Sequence, residues 1–147
     1  MTPGPAHLFG IAHPFHLFAR MREDVVDHQP DLRADQFAQL VVGRGDAEKL
    51  INPELNLSAG YGMPVTSPPA DRCVDHGEII DAAGFSLEVR DTPGHSQGHV
   101  SFLFRDVDPP MVIAGDVLFQ GSVGRVDFPD GDFDTLAASI REQLFTL

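Results

Sequence analysis

Twelve prolines among 147 residues decide where regular structure can run in this chain. Each proline fixes a backbone torsion and removes an amide donor, so helices and central strands avoid it. Pro53, Pro64, Pro68 and Pro69, together with Gly60 and Gly62, fill residues 53–72. That density predicts an ordered loop running over the surface. Pro3, Pro5, Pro14 and Pro30 punctuate residues 1–38, which also hold His7, His13, His16 and His28, four of the seven histidines. The segment differs in character from the remainder and is expected to be poorly ordered. Residues 15–21 predict a short helix, and nothing in the segment alternates like a strand.

Between and beyond the proline clusters the pattern is legible. Residues 37–42, Phe-Ala-Gln-Leu-Val-Val, predict a buried strand ending at Gly43. Asp46 is placed to cap a short helix over 47–51, stopped by Asn52-Pro53. Residues 78–81 and 85–90 flank the turn Ala82-Ala-Gly84 and predict a hairpin, with Phe85, Leu87 and Val89 on one face. Two short apolar strands follow at 100–104 and 111–114. Asp132 or Asp134 then caps a helix in which Leu136, Ile140 and Leu144 form one buried stripe. Strands followed by helices, without a regular strand–helix–strand repeat, favour a sheet-rich layered α/β fold over a doubly wound one.

The hydrophobic share of 42% and the formal net charge of −12 describe a soluble globular chain long enough to bury a core. Such acidity argues against nucleic acid as a partner, since binding a phosphate backbone needs clustered Lys and Arg. Cys73 is the only cysteine, which excludes an intramolecular disulfide and a thiolate metal cluster; a small, half-buried residue is expected there. No apolar run approaches the roughly 18 residues needed to span a bilayer, and the start of the chain lacks signal-peptide character. The expectation is a cytoplasmic protein without a membrane partner.

The chemistry points to two turns. Pro93 and Gly94 make the chain leave strand 85–90 in a tight bend that holds His95 in one place. Asp116 follows the strand 111–114 at a Gly-Asp step, where a carboxylate at a strand end can ligate a cation. Taken singly, His95 also reads as a loop histidine bonded to a carbonyl, and Asp116 as a turn or capping residue.

Taken together, Thr92-Pro-Gly-His-Ser-Gln-Gly-His99 and Ala114-Gly-Asp-Val-Leu-Phe-Gln-Gly-Ser-Val-Gly-Arg-Val-Asp127 resemble the metallo-β-lactamase fold hydrolases. Within them the pattern looks most like the glyoxalase II-like (hydroxyacylglutathione hydrolase-like) branch. Pro53-Glu-Leu-Asn-Leu-Ser58 and Pro64-Val-Thr-Ser-Pro-Pro-Ala-Asp71 extend the resemblance, which runs from about residue 39 to the end. It implies an αββα sandwich, incomplete at both ends, with residues 39–147 as a partial domain. It further implies His95 as a metal ligand and Asp116 as a carboxylate bridging two zinc ions, which would activate water against a thioester such as an acyl-glutathione. No other catalytic residue is implied. His99 stands where the family often has a histidine that is not a ligand. Arg125 and Asp127 read as an ion pair bracing the loop, with substrate contacts as the alternative.

One departure is plain. The family's ligand motif His-X-His-X-Asp-His is expected N-terminal to strand 37–42, where this chain has His13, His16 and His28 without that spacing. A last ligand histidine, from a Gly-His step beyond the final helix, is absent as well. Two expectations of function therefore stand side by side. One is a metal-dependent hydrolase acting on a small-molecule thioester or ester; the other is an inactive remnant or binding module lacking the full metal site. Unpaired sheet edges would favour a homo-oligomer.

Overall fold

A computed structural model describes residues 19–22, 38–82 and 84–147. Three sheets are present among them. The first has the order β1 (Ala19–Arg22), β2 (Ala38–Gly43), β3 (Arg72–Val74), antiparallel between β1 and β2 and parallel between β2 and β3. The second is an antiparallel meander of β4 (Ile79–Ala82), β5 (Phe85–Asp91), β6 (Val100–Phe104) and β7 (Met111–Ile113). A small hairpin, β8 (Leu118–Phe119) with β9 (Ser122–Val123), follows. The helices are α1 (Ala47–Ile51) and α2 (Phe133–Ser139), the latter running on into a wide π-turn at Ile140–Leu144.

The two larger sheets face one another. Val41 and Val74 from the first meet Ile80, Ala82, Leu87, Val89 and Phe102 from the second in one buried cluster. The period-two pattern of β5 accounts for its share, with Leu87 and Val89 pointing into this layer. Phe85, at the strand's open end, is exposed and meets Phe104 edge-on at 5.3 Å. The outer end of the second sheet is covered by the C-terminal helix. Leu136, Ile140 and Leu144 are buried with Val117, as their spacing predicts, and pack on Val112, Ala114, Leu118 and Val126. Asp132 is the cap of α2, its carboxylate accepting from the Thr135 amide at 2.7 Å. The two facing sheets, with the C-terminal helix over the second, give the layered α/β architecture expected.

Two expectations need correction. Residues 19–21 form part of strand β1, not of a helix, and Ala19 to Arg22 pair with Val41 to Ala38; ladder bonds to β2 outweigh a weak local helical preference. The rest of the expected helix, and His7, His13, His16 and His28, lie outside the described residues. So does nearly all of the N-terminal segment expected to be poorly ordered. Asp46 precedes α1 as expected but makes no side-chain capping bond. Its carboxylate turns inward to a distant loop, where it finds stronger donors. Cys73 is half-buried in β3, and among the described residues no helix is long and apolar enough to cross a membrane.

That distant loop, residues 92–99, is pressed backbone to backbone against residues 43–46. A Cβ at Gly98 would stand 2.2 Å from the Asp46 amide nitrogen and 2.4 Å from the Gly45 carbonyl carbon. On the other side Gly94, with φ of 127°, lies against the first turn of α2, where a Cβ would come within 2.3 Å of the Leu136 nitrogen. Gly98→Ala should therefore destabilise the chain by about 3 kcal/mol, at the upper end for overpacking because backbone must move. Gly60→Ala, with open space around it, should stay within roughly 0.5 kcal/mol. Urea unfolding of both variants beside the parent checks the contrast.

Candidate functional site

Strand β5 ends at Asp91, and the chain then bends through Thr92-Pro-Gly-His95 before entering β6. The bend is closed by the Thr92 amide on the His99 carbonyl at 2.9 Å and the Gly94 amide on the Ser96 carbonyl at 3.1 Å. Helix α2 holds its near side. The Asp132 amide donates to the Gly94 carbonyl at 2.8 Å, and Ser139 Oγ donates to the Pro93 carbonyl at 2.7 Å. The second turn follows β7, where the Val117 amide bonds back to the Ala114 carbonyl at 3.2 Å and leaves Asp116 half-buried at its tip.

These turns bring His95 and Asp116 together. His95 is 4% exposed, and its Nδ1 lies 2.9 Å from the Arg125 carbonyl oxygen. A carbonyl can only accept, so Nδ1 carries the proton and, in the neutral ring, Nε2 carries the lone pair. Nε2 faces Asp116 Oδ2 at 3.7 Å, too far for a hydrogen bond. Two donors sharing one tetrahedral ion at about 2.1 Å would stand about 3.4 Å apart, so the gap suits a metal ion between them. The bond from Nδ1 to a carbonyl is also the support that metal-bound imidazoles normally have.

His99 joins the two turns from behind. Its Nε2 accepts the Asp116 amide at 3.3 Å, which leaves Nδ1 to donate to Thr92 Oγ1 at 3.0 Å. Thr92 in turn shares a hydrogen bond with Ser101 Oγ at 2.9 Å. Thr92 and Ser101 are both 0% exposed, so this relay is a sealed part of the core. Both ring nitrogens of His99 are engaged with protein atoms, and the ring stands 6.1 Å from that of His95, edge to face. His99 is therefore a strut between the turns.

At the front, Arg125 and Asp127 form the bidentate pair expected of a loop brace, with both contacts at 2.6 Å. The guanidinium holds the Asp127 carboxyl down to about 2. Arg125 also lies over the Phe128 ring at 4.2 Å, and Phe128 meets His95 edge-on at 6.0 Å. The exposed pair thus fixes the loop whose carbonyl orients His95.

The outer side of the His95 turn is held by charge. The Asp46 carboxylate, 2% exposed, accepts from Ser96 Oγ at 2.5 Å and from the Gly98 amide at 3.1 Å. Lys49 Nζ lies 2.8 Å from Asp46 and also binds Asp130, which accepts the Gln97 amide at 3.3 Å. Burial works against the charge on Lys49, but the bonds to Asp130 and Asp46 prevail and raise its pKa. Burial likewise opposes ionisation of Asp130, and the bonds from Lys49 and the Gln97 amide outweigh it and lower its pKa. None of Asp46, Lys49 or Asp130 announces this role in the sequence. The only local signal is the glycine on each side of Arg44, which permits the close approach.

His95 and Asp116 make two donors, one fewer than a catalytic metal normally takes from protein. Among the described residues no three His, Cys, Asp or Glu side chains gather in a way that could hold a metal ion. The pair fits one edge of a metal centre, and the remaining ligands are not among the described residues.

The Lys49 cluster predicts a stability window. Asp130, depressed below its ordinary 3.8, contributes stability above that value and loses it as pH falls through the folded-state pKa. Lys49, raised above its ordinary 10.5, contributes below that value and loses it as pH rises through the folded-state pKa. Lys49→Met should cost about 3 kcal/mol at neutral pH, because it strands the buried Asp46 carboxylate and the half-buried Asp130. The difference from the parent should shrink at both pH extremes. Chemical unfolding of both proteins across the pH range checks it.

Residues 30–146 match the profile of the Metallo-beta-lactamase superfamily. Hydroxyacylglutathione hydrolase GloC of Haemophilus influenzae is 46% identical over 114 residues, 76% of this chain and 53% of that protein. Among solved structures, BLEG-1 B3 metallo-beta-lactamase superposes with a TM-score of 0.69 at 34% identity, covering 77% of this chain and 55% of its own. TTHA1623, in a di-iron-bound form, gives 0.55 at 33% identity, covering 74% and 52%. The chain spans about half the length of the curated relatives it matches.

Proposed function

This chain belongs to the metallo-β-lactamase superfamily, and we propose that it acts there as a metal-dependent hydrolase of the glyoxalase II-like type. The substrate class is a small-molecule thioester, such as an acyl-glutathione, or an ester. The observation that carries the reading is His95 Nε2, the lone-pair nitrogen of the neutral ring because Nδ1 donates to the Arg125 carbonyl, aimed at Asp116 across 3.7 Å. His95 and Asp116 would hold the metal, with Asp116 bridging where two ions bind. Zinc is the proposed ion. When bound, the metal supplies a water of lowered pKa and a Lewis acid for the carbonyl.

The chain's own residues do the rest by holding geometry. Arg125 gives its carbonyl to His95 and is itself fixed by Asp127 and Phe128. His99 spaces the Asp116 turn from the His95 turn. The identity with a hydroxyacylglutathione hydrolase favours the thioester, while the likeness to a β-lactamase makes a lactam the natural control substrate. The other reading is a binding module without a complete metal site, and it draws on the absence of a third ligand among the described residues. A cytoplasmic setting and self-association through sheet edges remain part of the proposal.

Metal content by elemental analysis, measured beside hydrolysis of an acyl-glutathione and of a β-lactam, tests the reading. The enzyme should carry stoichiometric metal and cleave the thioester in preference to the lactam. His95→Ala and Asp116→Ala should each lower thioester turnover by more than about 100-fold, the ceiling for partners that only support a ligand. Metal-free protein without turnover would leave the binding module.

A further inference from the structure

The turn that presents His95 is gripped from outside by a largely buried ion cluster to which the hydrolytic reading gives no task. Three consecutive residues after His95 are each tied to one of two carboxylates: Ser96 and Gly98 to Asp46, and Gln97 to Asp130. Lys49 bridges the two carboxylates and is itself only 13% exposed. Asp46 lies in the turn leading into α1, about fifty positions away in sequence, so the cluster fastens one end of the first sheet to the candidate site. We propose that Asp46 is a positioning residue for His95, its buried carboxylate holding Ser96 and Gly98 so that the imidazole keeps one orientation. The claim rests on the reading of His95 as a ligand, and it concerns how that ligand is aimed.

Stability alone is a poor reason for such a cluster. Taking charges out of water costs several kcal/mol per ion, and well-packed apolar residues of the same volume often serve the fold as well. Capping is not the reason either, because the Asp46 side chain makes no capping bond to α1. What a carboxylate adds is direction: its oxygens receive the Ser96 hydroxyl and the Gly98 amide at fixed sites, 2.5 Å and 3.1 Å away. The His95 ring then meets a second fixed point in the Arg125 carbonyl. With its backbone held on one side and Nδ1 on the other, the ring has one orientation. Ligand supports of this kind typically change metal affinity by 10–100-fold when removed.

Two variants separate this role from a merely structural one. Asp46→Asn keeps the shape but replaces an anion with an amide that can accept through one atom only. Ser96→Ala removes a single hydroxyl and leaves the Asp46–Lys49 pair intact, so it remains informative should Asp46→Asn fold poorly. The first readout needs no metal: the nitrogen-15 signals of the His95 imidazole. The parent should show the Nδ1-protonated form with a slowly exchanging proton. Both variants should lose that protection and mix tautomers, while amide signals distant from residues 92–99 stay in place. The second readout is the zinc dissociation constant, by competition with a chromophoric chelator. It should weaken by about 10-fold or more in Asp46→Asn. Folded variants with unchanged His95 signals and unchanged zinc affinity would overturn the proposal. A parent that binds no zinc, or a His95→Ala variant that binds it equally well, would overturn the proposed function instead. The imidazole signals would still decide the role of Asp46.

Discussion

The close approach of residues 92–99 to residues 43–46 is the contact on which the candidate site depends. Gly98 lies so near the Asp46 amide and the Gly45 carbonyl that no side chain fits between them. The same approach delivers the Asp46 carboxylate to Ser96 and to the Gly98 amide. On the opposite flank Gly94 meets α2, whose cap residue Asp132 donates its amide to the Gly94 carbonyl. Both flanks of the bend are therefore occupied by backbone from distant elements. The two-sheet core supplies the rigidity beneath, since the bend is continuous with β5 and β6, where Val89 pairs with Phe102. His95 is held by the fold as a whole, which is what a rigidly presented metal ligand requires.

A second dependence runs from His95 to Asp116. Their side chains do not bond to each other, and the 3.7 Å between them is set by two backbone links. One is the Arg125 carbonyl on His95; the other is the Asp116 amide on His99. Each link uses the ring nitrogen that faces protein and fixes the tautomer of its histidine. The arrangement explains why both histidines of the segment 91–99 are buried although only one faces the carboxylate.

Much of this was legible in the sequence where the signal was local. The alternation of Leu87 and Val89, the Leu136, Ile140 and Leu144 stripe and the Asp132 cap all stand in the fold as their spacing implies. Of the loop expected over residues 53–72, all but Arg72, which opens β3, is free of long elements, with one short turn at Ala59–Tyr61. The paired turns around His95 and Asp116 pointed to the family to which the chain belongs. Four strands of two to four residues were not legible. Ala19–Arg22 and Arg72–Val74 exist through their pairing with the distant strand β2, and the hairpin of Leu118–Phe119 with Ser122–Val123 is too short to show a period. Asp46 was misread for a related reason. Before a helix an aspartate looks like a cap, and only the folded chain brings Ser96 and Gly98 to it.

We propose that His95 Nε2 and Asp116 are ligands to one metal centre. X-ray absorption at the zinc edge of the metal-loaded protein, compared with metal-loaded His95→Ala, tests it most directly. Imidazole scattering is expected around zinc in the parent, with one nitrogen donor lost in the variant. An identical zinc environment in the two proteins would contradict it.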